Sequence, residues 1–137
     1  TRKESSAASD VYKRQAVNSG ADALIVSNHG GRQLDGAPSS IAALPGIAAA
    51  AGKNIEVWMD GGIRSGQDVL KARALGAQGT LIGRSFLYGL GAYGEAGVTR
   101  ALQIIQKELD ITMAFCGHTN INNVDSSILL PGTFPTA

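Results

Sequence analysis

Cysteine is almost missing from this chain, with a single one, Cys116, among 137 residues. One thiol excludes an internal disulfide and fits a reducing compartment. Charge is also scarce. Twelve basic and eleven acidic residues leave a net charge of +1, which offers no field for nucleic acid or an acidic partner. No apolar run reaches the roughly 18 residues of a membrane-spanning helix, and no signal-peptide pattern opens the chain. The expected setting is soluble and cytoplasmic, with a peripheral contact at the inner face of the cell membrane still compatible. No metal site is expected. What the chain has in quantity is glycine, 18 residues of it, which points to tight turns and close backbone approaches.

Thr1 to Gln15 is polar and shows no sustained period of two or of 3.6 residues. Beyond it the pattern turns regular. Ala23 to Val26 is a short continuous apolar run, as expected of a strand buried on both faces of a parallel sheet. An alanine-rich, helix-prone stretch follows from Ile41 to Ala51, interrupted by Pro45 and closed by Gly52. Ile55 to Met59 reads as a second strand. Ser65-Gly66-Gln67-Asp68 has the spacing of a capping box, so a helix is predicted to start there and stop at Gly76. Thr80 to Ile82 reads as a third strand. A short helix near Ser85 to Leu90 and a glycine-rich turn come next. Then a long helix places Val98, Ala101, Leu102, Ile105, Leu109, Thr112, Met113 and Cys116 on one face. Gly117 ends it, and the tail from His118 is expected to be irregular.

Strand, loop and helix thus alternate three times at intervals of about thirty residues, the mark of βα units on a parallel sheet. The unusual residues lie in the loops after the strands, where a barrel or an open α/β sheet builds its site. Ser27 to Asp35 sets the imidazole of His29 three residues from the guanidinium of Arg32, with Gly30 and Gly31 between them. Such a loop can aim a proton acceptor and a carboxylate clamp at one small ligand. Asp60-Gly61-Gly62-Ile63-Arg64 forms the second loop and Gly83-Arg84 the third. Each joins glycine to arginine at a helix start, so the pair suits one phosphorylated ligand, with the helix beginning near Ser65 adding its positive end. Asp60 can accept from hydroxyls of a sugar-like chain.

Plainer roles compete for each residue. An isolated loop histidine is ordinarily held by local backbone, but Asn28, Gly30, Gly31 and Arg32 around His29 favour a functional role. Arg32, Arg64 and Arg84 could be solvated or salt-bridged surface charges, and Asp60 could hold its own turn. Asp35 is expected to order its loop, His118 to be solvated, Cys116 and Trp58 to be core, and Asn120, Asn122 and Asn123 to be turn residues.

The runs Ser27–Asp35, Asp60–Gly66 and Leu81–Arg84, with Asp125 to Leu129 in the tail, resemble the FMN-dependent α-hydroxy acid dehydrogenase and oxidase family. That family includes L-lactate dehydrogenases, glycolate oxidases and mandelate dehydrogenases. The resemblance implies the C-terminal part of a (β/α)8 barrel, about three βα units plus a long C-terminal helix, over residues 16–137. It implies FMN as cofactor, a small 2-hydroxy acid as substrate, a quinone, cytochrome or oxygen as electron acceptor, and a homo-oligomeric parent. His29 matches the family's base and Arg32 its substrate-carboxylate ligand. Asp60, Gly61, Gly62, Arg64, Gly83 and Arg84 match the FMN ribityl and phosphate site. The implied reaction is oxidation of an L-2-hydroxy acid, L-lactate to pyruvate foremost.

The family's flavin-contacting lysine falls at Ser5, in a segment outside the resemblance. Residues 1–15 are therefore expected to be disordered or foreign, and the chain to be a piece of a longer protein, inactive alone. A different class of function, a non-catalytic phosphate- or nucleotide-binding half-barrel, would need Arg64 and Arg84 but not His29.

Overall fold

The computed structural model describes Gln15, residues 18–53 and residues 55–136. Three strands, β1 (Ala23–Val26), β2 (Glu56–Met59) and β3 (Gly79–Thr80), form one parallel sheet in the order β1-β2-β3. Ala23 pairs with Glu56, Ile25 with Trp58, and Trp58 with Gly79. Helix α1 (Ser40–Ala51) connects the first two strands and α2 (Gly66–Ala74) the second and third, and α3 (Arg84–Phe115) follows the last. Three βα units are therefore present in sequence order. Ser5 and the rest of residues 1–14 lie outside the described residues.

Alternation along the strands decides which face is covered. Val26, Val57 and Met59 point to one side and pack with Leu44 of α1 and with Ile63, Ala72 and Leu75 around α2. Ile25 and Trp58 point to the other side and are 55% and 37% exposed. The expectation of a sheet buried on both faces, with Trp58 in the core, is therefore corrected: among the described residues only the helix-bearing face is packed. A second cluster, Leu70, Ala74 and Val124 with Leu109, Met113, Ile128 and Leu129, joins the outer side of α2 to α3 and the tail.

Pro45 does not interrupt α1, which runs through it to a glycine cap at Gly52. The cost is one missing N–H, whose partner would have been the Ile41 carbonyl. The capping box at α2 is present in both directions, Ser65 accepting from the Asp68 N–H and the Asp68 carboxylate from the Ser65 N–H. β3 begins one residue earlier than Thr80 and ends before Leu81. The expected short helix and long helix meet at Tyr93 and Gly94, where the backbone leaves the helical region and Gly94 takes a positive φ.

On the long helix, Val98, Ala101, Ile105, Leu109, Thr112 and Met113 are half-buried, whereas Leu102 and Cys116 are exposed. Cys116 is the C-cap, beyond the turns that pack on α2. His118, expected to be solvated, is half-buried. The tail carries two 3₁₀ turns, Ile121–Asn123 and Ser126–Ile128. Arg73 of α2 holds the first by donating to the Ile121 and Asn122 carbonyls. Asp125 caps the second, and hydrogen bonds from Ser127, side chain and backbone, keep its carboxyl below its ordinary value. No helix among the described residues is long and apolar enough to cross a membrane.

Candidate functional site

All three loops leave the same edge of the sheet, because parallel strands present their C-terminal ends together. After β1 the chain enters a 3₁₀ turn, His29–Gly31, in which three successive residues have positive φ: His29 at 56°, Gly30 at 67° and Gly31 at 72°. Glycine adopts that conformation freely, but histidine does so at a cost of about 1–2 kcal/mol. Local acceptors impose it. The His29 N–H donates to Ser27 Oγ at 3.0 Å, the Gly30 N–H to Asn28 Oδ1 at 3.0 Å and the Gly31 N–H to the Asn28 carbonyl at 3.0 Å.

Asn28 is held in turn by its N–H to Ser40 Oγ, 3.2 Å, and its Nδ2 to the Pro38 carbonyl, 3.4 Å. Ser40, 4% exposed, is the buried polar residue of the core. Its hydroxyl also lies against Gly61, where an added Cβ would come within 3.1 Å of Oγ. Through Ser40 the histidine loop is therefore in contact with the second glycine loop.

The second loop turns through Gly61 and Gly62, at φ 84° and 83°. Its backbone is anchored at one end by the Asp60 N–H to the Val26 carbonyl, 3.1 Å. At the other end the Asp68 carboxylate accepts from the N–H groups of Arg64 and Ser65, 3.0 Å each. The Gly66 N–H donates to Glu108 Oε2 at 2.9 Å.

Of the first-turn donors of α2, the Gly66 N–H goes to Glu108 and the Asp68 N–H to Ser65 Oγ, so part of its positive end is satisfied within the protein. The start of α3 is different, because its N-cap is Gly83 and no side chain caps it. The orphan donors of that first turn are the ones available to an anion.

Asp60, Gly61, Gly62, Arg64, Gly83 and Arg84 come together around a cavity of about 380 Å³, closed by Ile63, Leu81, Ile82 and Leu87. Asp60 lines it, and its Oδ1 is buried with no hydrogen-bond partner among the described residues. A buried carboxylate oxygen without a donor costs about 1–3 kcal/mol or more, and a ligand hydroxyl would remove that cost. The competing role for Asp60, holding its own turn, leaves this oxygen unexplained. His29 and Arg32 stand apart from this set. Both are exposed and neither lines the cavity; of their loop Gly30 alone does.

Sequence reasoning missed Ser40 and Glu108. Ser40 had no signal beyond its place at a helix start. Glu108 left a weak one, a charged residue between Ile105 and Leu109 on the apolar face of the long helix. The cavity matches a nucleotide-like anion in its parts: hydroxyl acceptor, glycine turns, two arginines and an uncapped helix start. FMN, with a ribityl chain and a terminal phosphate, fits that set of donors and acceptors.

Comparison with known proteins gives the same direction. The family described as FMN-dependent dehydrogenase matches residues 7–131. An L-lactate oxidase from Nostoc sp. is 52% identical over 115 residues, covering 84% of this chain and 32% of that protein. An L-lactate dehydrogenase from Caulobacter vibrioides is 52% identical over 116 residues, covering 85% of this chain and 30% of its own length. Among solved structures, a mandelate oxidase variant with a monooxide FMN adduct superposes with a TM-score of 0.79 at 46% identity. It covers 82% of this chain and 36% of that one. The chain thus spans about a third of the length of these relatives.

Proposed function

This chain belongs to the FMN-dependent dehydrogenase family, whose cofactor is FMN, and on that premise we propose that it is the C-terminal part of a (β/α)8 barrel oxidising an L-2-hydroxy acid. L-lactate is the substrate favoured, since relatives named for L-lactate oxidation reach 52% identity. The observation that carries the proposal is the buried, partnerless Asp60 Oδ1 in a cavity that also holds Arg64, Arg84 and the uncapped start of α3.

Bound there, FMN supplies an acceptor for the two electrons the acid gives up. Asp60 accepts from a ribityl hydroxyl, and Arg64 and Arg84 pair with the phosphate while Gly61, Gly62 and Gly83 let backbone approach it. The acid loses two protons with its two electrons: His29, next to the cavity-lining Gly30, takes one as the hydroxyl becomes a carbonyl, and the other goes to the flavin with the electrons. Arg32 holds the carboxylate, for which a planar fork of donors is the fitting partner. The left-handed backbone at His29 supports this role, because strain of that kind concentrates at functional positions.

The test is flavin reduction in the full-length protein. His29→Ala is expected to keep the yellow colour and lose bleaching by L-lactate, a fall of at least about a hundredfold in rate. Bleaching at the wild-type rate would remove His29 from the mechanism. Arg32→Lys is expected to raise KM for the acid more than it lowers kcat, measured in the same assay.

A further inference from the structure

Two loops must hold their arginines at a set separation if Arg64 and Arg84 are to share one phosphate, and among the described residues one side-chain hydrogen bond joins the segment after the second loop to the distal part of α3. Its side chain is that of Glu108, whose Oε2 accepts the Gly66 N–H at 2.9 Å across 42 residues of sequence. The other anchors of the second loop lie elsewhere: Asp60 on β1 through Val26, and Arg64 and Ser65 on Asp68 within the same segment. Neither relates Arg64 to α3, whose first residue is Arg84; Glu108 lies beyond the break at Tyr93 and Gly94, and the Arg84 segment packs back on the Glu108 segment where Gly89 meets Gly97.

Packing reinforces the bridge. Arg64 and Arg84 both line a second cavity of about 330 Å³ against Ala101, Ile104 and Ile105 of α3. Glu108 lies about one turn further along that face. At Gly66 the two backbones approach so closely that an added Cβ would overlap the Leu109 nitrogen and lie 2.6 Å from the Ile105 carbonyl oxygen. The bond therefore sits at the point where the α2 N-terminus is pressed against α3.

We infer that Glu108 is a positioning residue for the phosphate end of the cofactor, setting the Arg64 loop against Arg84 by accepting the Gly66 N–H. The inference rests on the FMN reading of the cavity. It touches the phosphate end alone, so its signature is a difference between FMN and riboflavin, which lacks the phosphate.

The experiment is titration of both flavins into apoprotein of the full-length protein and of its Glu108 variants. Glu108→Ala is expected to weaken FMN about tenfold, the scale of one lost hydrogen bond to a charged group, and to leave riboflavin within about twofold. Glu108→Gln, which keeps an acceptor at the same reach, is expected to stay within about twofold of the parent for both flavins. Glu108→Asp, which keeps the charge but shortens the arm, is expected to behave like Glu108→Ala and decides the matter if the alanine variant does not fold.

Equal loss of FMN and riboflavin, no loss of either, or a glutamine variant as weak as the alanine one would overturn the inference. Arg64→Ala separates it from its premise. If that variant does not weaken FMN relative to riboflavin, the assignment of the cavity fails. If it does and Glu108→Ala does not, the role of Glu108 alone fails.

Discussion

His29 carries its imidazole on a backbone that few side chains adopt. The left-handed conformation costs about 1–2 kcal/mol for a residue with a Cβ, while glycine at the same place pays about 0.5–1 kcal/mol in chain entropy. The first term is the larger. His29→Gly is therefore expected to stabilise the fold by about 0.5–1 kcal/mol in chemical denaturation while losing flavin reduction. A variant both less stable and inactive would show that the loop is not strained at this residue.

Asn28 and Ser40 carry the opposite kind of role, order without chemistry. Ser40→Ala would leave the Asn28 N–H without its acceptor, at a cost of about 1–3 kcal/mol. Because Ser40 also touches Gly61, that substitution is expected to disturb both loops. Neither residue could be singled out from the sequence, because a serine at a helix start reads as an ordinary cap. Asp35, by contrast, behaves as its type suggests, accepting from the Gly36 N–H at 3.1 Å.

Among the elements, α2 was the most legible. Its capping box, its start after Ser65 and its stop before Gly76 follow from local rules that need no partner. Ser65→Ala removes the cap and is expected to cost about 1 kcal/mol, read as a shift in the urea midpoint without a change of slope. What local rules could not reveal is how close α2 comes to α3. Gly66→Ala would drive a methyl group into the α3 backbone, which cannot retreat as a side chain can. A loss of about 3 kcal/mol or more is expected, against about 1 kcal/mol of gain had the helix start been free.

The long helix shows the same division. Its apolar period placed Leu109 and Met113 correctly on α2, but extended the face to Leu102 and Cys116, which are exposed. A hydrophobic period gives direction around the axis and says nothing of where the partner ends.

For the whole molecule, the open face of the sheet is the dominant feature. Ile25 and Trp58 stand side by side in register with their helix-free side exposed, an apolar surface that invites association. Trp58 is the single tryptophan, so its fluorescence reports on that face alone. Expressed by itself, the chain is expected to give red-shifted emission, to aggregate and to be neither yellow nor bleached by L-lactate. In the longer protein we propose, the contribution of Trp58 to the emission is expected to shift to the blue as this sheet face is covered. A soluble, bleachable yellow chain would overturn that expectation.

Parallel βα order, the loops that bear the chemistry and the identity of His29, Arg32, Asp60, Arg64 and Arg84 as candidates were all determined by sequence, because hydrophobic period, capping and glycine placement act over a few residues. Tertiary structure decided the rest. It put Asp60, Arg64 and Arg84 around one cavity with Gly61, Gly62 and Gly83 and left His29 and Arg32 outside its lining. It satisfied the Gly66 N–H at the α2 start with Glu108 and left the α3 start without a side-chain cap. It also exposed one sheet face that strand composition alone suggested was buried. These outcomes depend on which distant segments meet, as Gly66 meets Glu108, and no local pattern encodes a contact across 42 residues.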